Sequence, residues 1–375
     1  MTVASEVGRA PPYTPVSMSE APPTDRARIL TGDTPTGKLH LGHWVGSVKR
    51  RVELQRTHDC FFILANIHAF TTRADQPDAI REDTLEIVRD LLAMGIDPEG
   101  ASIFLQSEVP AIAELTFLFA MLLPYNRVMR NPTLKDEIKV KNLGETYSFG
   151  FPLYAVGQTA DILAFRPVGV PVGEDQVAHL ELTREVARRF NQMYCGVHDK
   201  AEDDEHVAEG GVFPIPRADV GKVGRLVGID GENKMSKSLN NAVYISDTAK
   251  QVQKKINKIF TGRQSPTDPG DPDNVLMQYC EIFIPDAERV AELKDLYARG
   301  ADIGDGHIKQ ELGAAINELL EPMRERRAKY EGDDAYVIDV LESGTARANA
   351  LTEQTLAMAK EAAGLGFFPR SLELR

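Results

Sequence analysis

Disulfide chemistry has little to work with in this chain. Its 375 residues hold three cysteines, Cys60, Cys195 and Cys280, far apart and in no C-x-x-C pair. Neither a disulfide framework nor a structural zinc site is expected, no other metal site is read from the sequence, and a reducing cytoplasm fits. Long apolar runs are also missing. The run from Cys60 to Ala65 falls far short of the roughly 18 residues a membrane span needs, so no membrane partner is expected. Positive charge is in deficit, with 43 Lys and Arg against 56 Asp and Glu and a net charge of −13. Taken alone, that balance argues against a nucleic-acid binder, because phosphate affinity rests on Lys and Arg.

What is present is the composition of a soluble globular protein, 42% hydrophobic and 26% charged, at a length that suits two domains. Basic residues cluster locally at Lys49-Arg50-Arg51, at Lys254-Lys255 with Lys258, and over residues 324–329. Each cluster reads equally well as a solvated helix face or as a surface for RNA. Residues 1–25 are rich in Pro, Ser, Thr and Ala and read as a flexible tail. Glu6, Glu20 and Asp25 argue against an organelle-targeting peptide. Residues 198–211 form an acidic surface loop. Tail and loop are the two places where a protein partner could dock.

Residues 28–32 predict a short buried strand, and residues 39–55 a helix. The apolar run 60–65 predicts a second strand. Residues 79–94 predict an amphipathic helix ending at Gly95, and residues 103–105 a third strand. That alternation, with further strand and helix signals to residue 190, predicts an α/β fold with a Rossmann-like parallel sheet. Beyond Asn241 the strand signal fades. Helices are predicted over 248–260, 275–283, 287–299, 308–329 and 335–363, with a Pro/Asp/Gly-rich loop over 262–273. The expected division is a tail (1–25), a catalytic domain (26–241) and an all-helical domain (242–375).

Two short motifs carry chemistry. Pro35-Thr36-Gly37-Lys38-Leu39-His40-Leu41-Gly42-His43 follows the first strand and opens the first helix. His40 and His43 would share a face at the positive end of that helix, where imidazole N–H groups can donate to phosphate oxygens. Gly42 between them lets a flat group approach the backbone. Lys234-Met235-Ser236-Lys237-Ser238 lies about 190 residues later. Its lysines can reach a triphosphate and neutralise charge growing on a leaving pyrophosphate.

Both motifs, in this order and bracketing a parallel sheet, resemble the class I aminoacyl-tRNA synthetases. Val170-Pro171-Val172-Gly173-Glu174-Asp175-Gln176-Val177-Ala178-His179-Leu180-Glu181-Leu182-Thr183-Arg184 resembles the bacterial tryptophanyl-tRNA synthetases. So do Gln106-Ser107-Glu108-Val109-Pro110 and Val52-Glu53-Leu54-Gln55, and the similarity runs from about residue 28 to the C-terminus. The resemblance implies activation of L-tryptophan by ATP with Mg2+, an aminoacyl-adenylate, transfer to tRNA(Trp), a helical domain that recognises tRNA, and a homodimer. It implies phosphate contacts from His40, His43, Lys234 and Lys237. ATP would also meet Gly32, Thr34, Gly42, Gly173, Asp175, Met235 and Ser236. The amino acid would meet Leu30, Tyr154, Gln158, Asp161, Val170, Val172 and Gln176, with Asp161 accepting from the indole N–H.

Three positions depart from the family pattern. Gln158 replaces the usual Met, Leu30 replaces an aromatic, and Thr34 replaces a Gln. The resulting Tyr-x-x-x-Gln-x-x-Asp is closer to the tyrosyl-tRNA synthetases, which leaves a tyrosine-activating enzyme as one alternative. A duplicated synthetase with an added regulatory or binding role is another. Adenylyltransferases that also use H-x-G-H are shorter and lack K-M-S-K-S.

Overall fold

The computed structural model describes residues 26–144, 146–173, 176–220, 226–301 and 303–369. The tail expected over 1–25 lies outside them.

Five parallel strands form one sheet in the order β3-β2-β1-β4-β5. They are β1 (Arg28–Asp33), β2 (Asp59–Leu64), β3 (Ala101–Leu105), β4 (Gly169–Val172) and β5 (Arg217–Val220). β1 pairs with β2 from Arg28↔Asp59 to Asp33↔Leu64 and meets β4 on its other side at Ile29↔Gly169. The order therefore reverses between β1 and β4. In open α/β sheets, ligands bind beyond the carboxyl ends of the strands at that switch point.

Between the strands run α1 (Leu41–His43), a π-helical turn (Trp44–Val48), α2 (Lys49–Leu54), α3 (Asn66–Arg73) and α4 (Pro77–Met94). Then follow α5 (Pro110–Ala120), α6 (Tyr125–Met129), α7 (Pro132–Val140), α8 (Gly150–Ala164) and α9 (Val177–Cys195). The C-terminal part holds α10 (Ala249–Ile256), α11 (Val275–Phe283), α12 (Ala287–Arg299), α13 (Asp305–Ala328) and α14 (Asp334–Ala362). Gly95 ends α4 in the left-handed conformation, φ 103°, as its position in the sequence predicts. The single helix expected over 39–55 instead begins at Leu41 and passes through the π-helical turn. The short helices α3, α6 and α7 are not anticipated. α8 is buried along most of its length, so it shows no one-sided stripe for periodicity to detect.

Alternate strand residues serve two cores. Ile29, Cys60, Phe62, Leu64 and Ile103 face a cluster that also holds α4 and the buried faces of α10 to α13. Leu30, Phe61, Ile63 and Phe104 face a second cluster with α5, α8 and α9. One continuous apolar cluster thus spans a sheet face and the C-terminal helices. α14 joins both clusters, with Val337 and Leu341 in the first and Ala348, Leu356 and Ala359 in the second. It lies close against β3: a Cβ on Gly344 would fall 2.1 Å from the Ile103 carbonyl oxygen.

Gly344→Ala is therefore expected to force the α14 backbone off the sheet and cost about 1–3 kcal/mol, as overpacking does. The midpoint of urea denaturation reads this directly.

Candidate active site

The two motifs meet at the carboxyl end of β1. The chain leaving K-M-S-K-S returns alongside the first motif, and His40 and Tyr244 form an antiparallel bridge. Leu41 N–H donates to Val243 O at 2.9 Å, and Ile245 N–H donates to Leu39 O at 3.1 Å. Met235 is fully buried under this junction. A Cβ on Gly42 would sit 3.0 Å from the His40 ring and 3.5 Å from Met235 Cβ. The bare backbone of Gly42 therefore admits the imidazole of its own motif. At Gly32 the space of a Cβ is taken by Ile63, whose carbonyl oxygen would lie 2.0 Å away.

His40 and His43 have ring centroids 3.8 Å apart. His43 Nδ1 accepts from the His40 backbone N–H at 3.1 Å. That acceptor role puts the ring proton on Nε2, free to be donated outward. Burial, then the neighbouring His43, Lys237 and Lys234, lower His40 to about 2. Burial lowers His43 to about 4, against the pull of Asp33. Both rings are neutral donors near pH 7. Asp33 is held down by the charge and hydrogen bonds of Arg51, which outweigh its burial. Arg51 is itself buried and also donates to Ser47 Oγ at 2.9 Å and to Gly32 O at 3.3 Å.

The K-M-S-K-S loop is braced from within. Ser236 N–H donates to Asn241 Oδ1 at 2.7 Å, and Asn241 Nδ2 donates to Asp230 Oδ2 at 2.8 Å and to Lys234 O at 3.2 Å. Ser236 and Ser238 hydroxyls lie 3.0 Å apart. Lys237 Nζ reaches across to the first motif, donating to Thr36 Oγ1 at 3.3 Å and to the Gly37 carbonyl. Burial lowers this ammonium to about 8 against the opposing pull of Asp83, Asp90 and Asp33. Lys234 stands exposed at the rim, and Thr34 is half-buried in the loop after β1.

A second group of polar side chains lies on the other sheet face. Asp161, 5% exposed on α8, accepts from Gln106 Nε2 at 2.9 Å on each carboxylate oxygen. Gln106 Oε1 in turn accepts from His68 N–H at 3.1 Å. Burial pushes the Asp161 carboxyl up to about 7, with the Gln106 hydrogen bond opposing. The His68 ring stacks on Tyr154 with centroids 4.2 Å apart. Tyr154 OH lies 3.4 Å from His179 Nε2, and His179 Nδ1 lies 3.2 Å from Asn131 Nδ2. Gln158 Nε2 donates to Gln176 Oε1 at 3.3 Å. Leu30 and Val170 are buried in the surrounding apolar cluster, and Val172 packs against it.

Of the expected site residues, the structure gathers His40, His43, Gly42, Met235, Ser236 and Lys237 at one end of the sheet. Tyr154, Leu30 and Val170 share the second cluster, and Asp161 lies on α8 between its members Ala160 and Ile162. Gly173 is exposed just beyond β4. Asp175 lies outside the described residues. Sequence reasoning missed His68, Asp33, Arg51 and Asn131, and gave Gln106 and His179 no role of their own. His68 lies in the first turn of α3, just past the end of β2, and a polar residue beyond the carboxyl end of a parallel strand is a signal that could have pointed to it. Of the basic clusters, only Arg51 and Arg327 are buried, and Lys49 and Arg50 are exposed. Arg324 and Arg326 donate to the Asp247 and Ala93 carbonyls, while Lys250, Lys254 and Lys258 stay exposed. The acidic loop is tied to α9, since Asp203 accepts from Arg188 Nε at 2.7 Å. Among the described residues no group of three or more His, Cys, Asp or Glu could hold a metal ion, and no helix is long and apolar enough to cross a membrane.

Fold and paired motifs thus define the class as an α/β enzyme of the nucleotide-binding type, with both motifs gathered at the carboxyl end of the sheet. A family model described as tRNA synthetases class I (W and Y) matches residues 22–321. A tryptophan–tRNA ligase of Treponema pallidum is 44% identical over 351 residues, covering 91% of this chain and 98% of the relative. One from Chlamydia caviae is 42% identical, covering 88% and 94%. The crystal structure of tryptophanyl-tRNA synthetase from Campylobacter jejuni complexed with ADP and tryptophan is 30% identical. It superposes with a TM-score of 0.77 over 90% of this chain and 100% of that one. The chain belongs to the class I tRNA synthetases and, within them, to the tryptophan–tRNA ligase family.

Asp161 gives a pH signature. Its folded pKa of about 7 stands above the model-compound 3.8. Between those values the folded chain binds the extra proton, so this contribution is complete below pH 3.8 and is lost as pH rises to about 7. The histidines act oppositely, costing stability as pH falls from 6.5 towards 4. The unfolding free energy of wild type minus that of Asp161→Asn is therefore expected to decrease steadily from pH 4 to 7; a flat difference contradicts the assignment.

Proposed function

We propose that the protein activates L-tryptophan with ATP, forms tryptophanyl-adenylate, and transfers the amino acid to the terminal adenosine of tRNA(Trp). The observation that carries this reading is Asp161: a buried carboxylate in an apolar setting, clasped by one amide, across the sheet from the paired motifs. An indole N–H would satisfy an acceptor that burial makes expensive to leave unpaired. A site built this way rejects an analogue lacking the donor by roughly 10⁴-fold or more. Leu30, Val170 and Val172 would line the ring, and Tyr154 and Gln176 would hold the α-amino group.

In the first step the substrate carboxylate attacks the α-phosphorus of ATP and pyrophosphate leaves. The nucleophile is already an anion, so no general base is needed, and catalysis rests on position and charge. His40 and His43 would donate Nε2–H to phosphate oxygens. Lys237 would exchange its contacts with Thr36 and Gly37 for the leaving pyrophosphate, joined by Lys234 from the rim. Gly32, Thr34, Gly42, Gly173, Asp175, Met235 and Ser236 would surround the nucleotide. In the second step a hydroxyl of the terminal adenosine attacks the acyl carbon and AMP leaves. Among the described residues no group of three or more acids, histidines or cysteines could hold magnesium. Mg2+ would arrive on the ATP phosphates as part of the substrate, and no step above is routed through it.

The helices of residues 242–375 would recognise the tRNA, with the exposed Lys250, Lys254 and Lys258 available to phosphates. A homodimer is supported by Phe117, Met121 and Tyr125, which expose 70%, 66% and 60% of their surface on and beside α5. Cytoplasmic residence is the natural setting for such an enzyme.

Gln158 is the observation that favours tyrosine, since it and Asp161 could both bond a phenol hydroxyl. ATP–pyrophosphate exchange with the twenty amino acids separates the readings. Exchange dependent on tryptophan, with tyrosine at least about 100-fold weaker in kcat/KM, is expected. Exchange with tyrosine would transfer the specificity to the Gln158–Asp161 pair. No exchange with any amino acid would leave a synthetase fold put to another use.

A further inference from the structure

The first motif is held from below by a carboxylate that belongs to neither motif. Asp90, on α4, has no exposed surface. Its Oδ2 accepts from the Leu39 backbone N–H at 2.7 Å, one residue before His40. Its Oδ1 accepts from Arg327 Nε at 2.7 Å. Arg327 comes from α13, in the C-terminal helices, and is only 4% exposed. The same guanidinium donates to Glu86 Oε2 at 2.6 Å and to Glu331. Glu86 in turn lies 3.7 Å from Lys38 Nζ. The two residues preceding His40 are thus both held by acids of α4, and one arginine of α13 gathers those acids.

The consequence for His40 is geometric. Leu39 O accepts from Ile245 N–H and Leu41 N–H donates to Val243 O. Those bonds fix one edge of the segment, and the Asp90 bond to Leu39 N–H fixes the other. Lose it and the segment can pivot about the Val243–Ile245 edge, carrying His40 with it. Asp90 cannot do this alone. Burial drives its carboxyl towards the neutral form, and the hydrogen bond and charge of Arg327, with the Leu39 amide, oppose that drive. A buried carboxylate stripped of its cation destabilises its surroundings strongly.

We propose that Asp90 is a positioning residue for His40 in adenylate formation, and that Arg327 makes this positioning depend on the seating of the C-terminal helices. The inference rests on the reading of His40 as a phosphate donor and names what holds that donor in place.

Two double variants separate positioning from folding. Asp90→Leu with Arg327→Met removes both charges and the acceptor. Asp90→Asn with Arg327→Met removes both charges but keeps an acceptor for Leu39 N–H. Urea midpoints are measured first, then kcat and KM for ATP and tryptophan in ATP–pyrophosphate exchange, with His40→Asn as a control. The leucine pair is expected to lose about tenfold in kcat, with KM for tryptophan unchanged, because small misplacements of a positioned donor are costly. The asparagine pair is expected to recover to within about threefold of wild type. A leucine pair as active as wild type overturns the proposal, as does an equal loss in both pairs. A His40→Asn enzyme with unchanged kinetics would instead remove the reading of His40, whatever the pairs do. Should the leucine pair not fold, Arg327→Lys keeps the charge and loses the fork. It is expected to speed hydrogen exchange at the Leu39 amide and lower kcat about threefold without moving KM for tryptophan; wild-type exchange and kcat overturn the proposal.

Discussion

Two backbone hydrogen bonds close this site. Leu41 to Val243 and Ile245 to Leu39 join segments some 200 residues apart, and everything proposed for the nucleotide depends on them. They set K-M-S-K-S against H-x-G-H, bury Met235 under the junction, and bring Lys237 to Thr36 and Gly37. Their cost is loop closure over most of a domain. The burial of Met235, Val243 and Ile245 in the main apolar cluster offsets it. The K-M-S-K-S loop is thereby part of the core on one side and free on the other, where Lys234 is exposed.

The electrostatics follow from that burial. Imidazoles held neutral by desolvation can donate to phosphates without adding charge to a site already crowded with Lys234, Lys237 and Arg51. Asp33 absorbs Arg51, so that guanidinium serves the frame of the site. On the far face of the sheet the same low-dielectric setting raises Asp161, where a substrate donor has most to gain. The paired motifs and the Asp161 cluster therefore lie on opposite sides of β1 and β2. The alternation of strand residues between the two cores assigns them there.

β5, Arg217–Val220, carries two charged residues and escaped notice, whereas β1, β2 and β3 were legible as short apolar runs separated by amphipathic helices, and α4 with its Gly95 stop could be read almost to the residue. α8 and the short helices α6 and α7 were not: α8 is apolar around most of its circumference, and five to nine residues give periodicity too little to work with. His40, His43, Lys234 and Lys237 were legible as motifs because local spacing carries their chemistry. Gln106, His68 and Asn131 were not, since each matters only through a tertiary partner: Asp161, Tyr154 and His179. The basic run 324–329 misleads for the same reason. Arg327 looks like a surface cation until the fold supplies Asp90, and Arg326 until it supplies the Ala93 carbonyl. The separation into two halves at Asn241 reflects a change in local pattern, whereas packing runs through it: α13 sits on α4, and α14 lies along β3.

The most direct measurement is a crystal structure of the protein with tryptophan and a non-hydrolysable ATP analogue. The account predicts phosphates between the His40–His43 pair and the Lys234–Lys237 pair, with Lys237 released from Gly37. It also predicts the indole nitrogen within about 3.2 Å of an Asp161 oxygen. A nucleotide bound away from the Leu39–Leu41 junction, or an indole ring that leaves Asp161 paired to Gln106 alone, would contradict it.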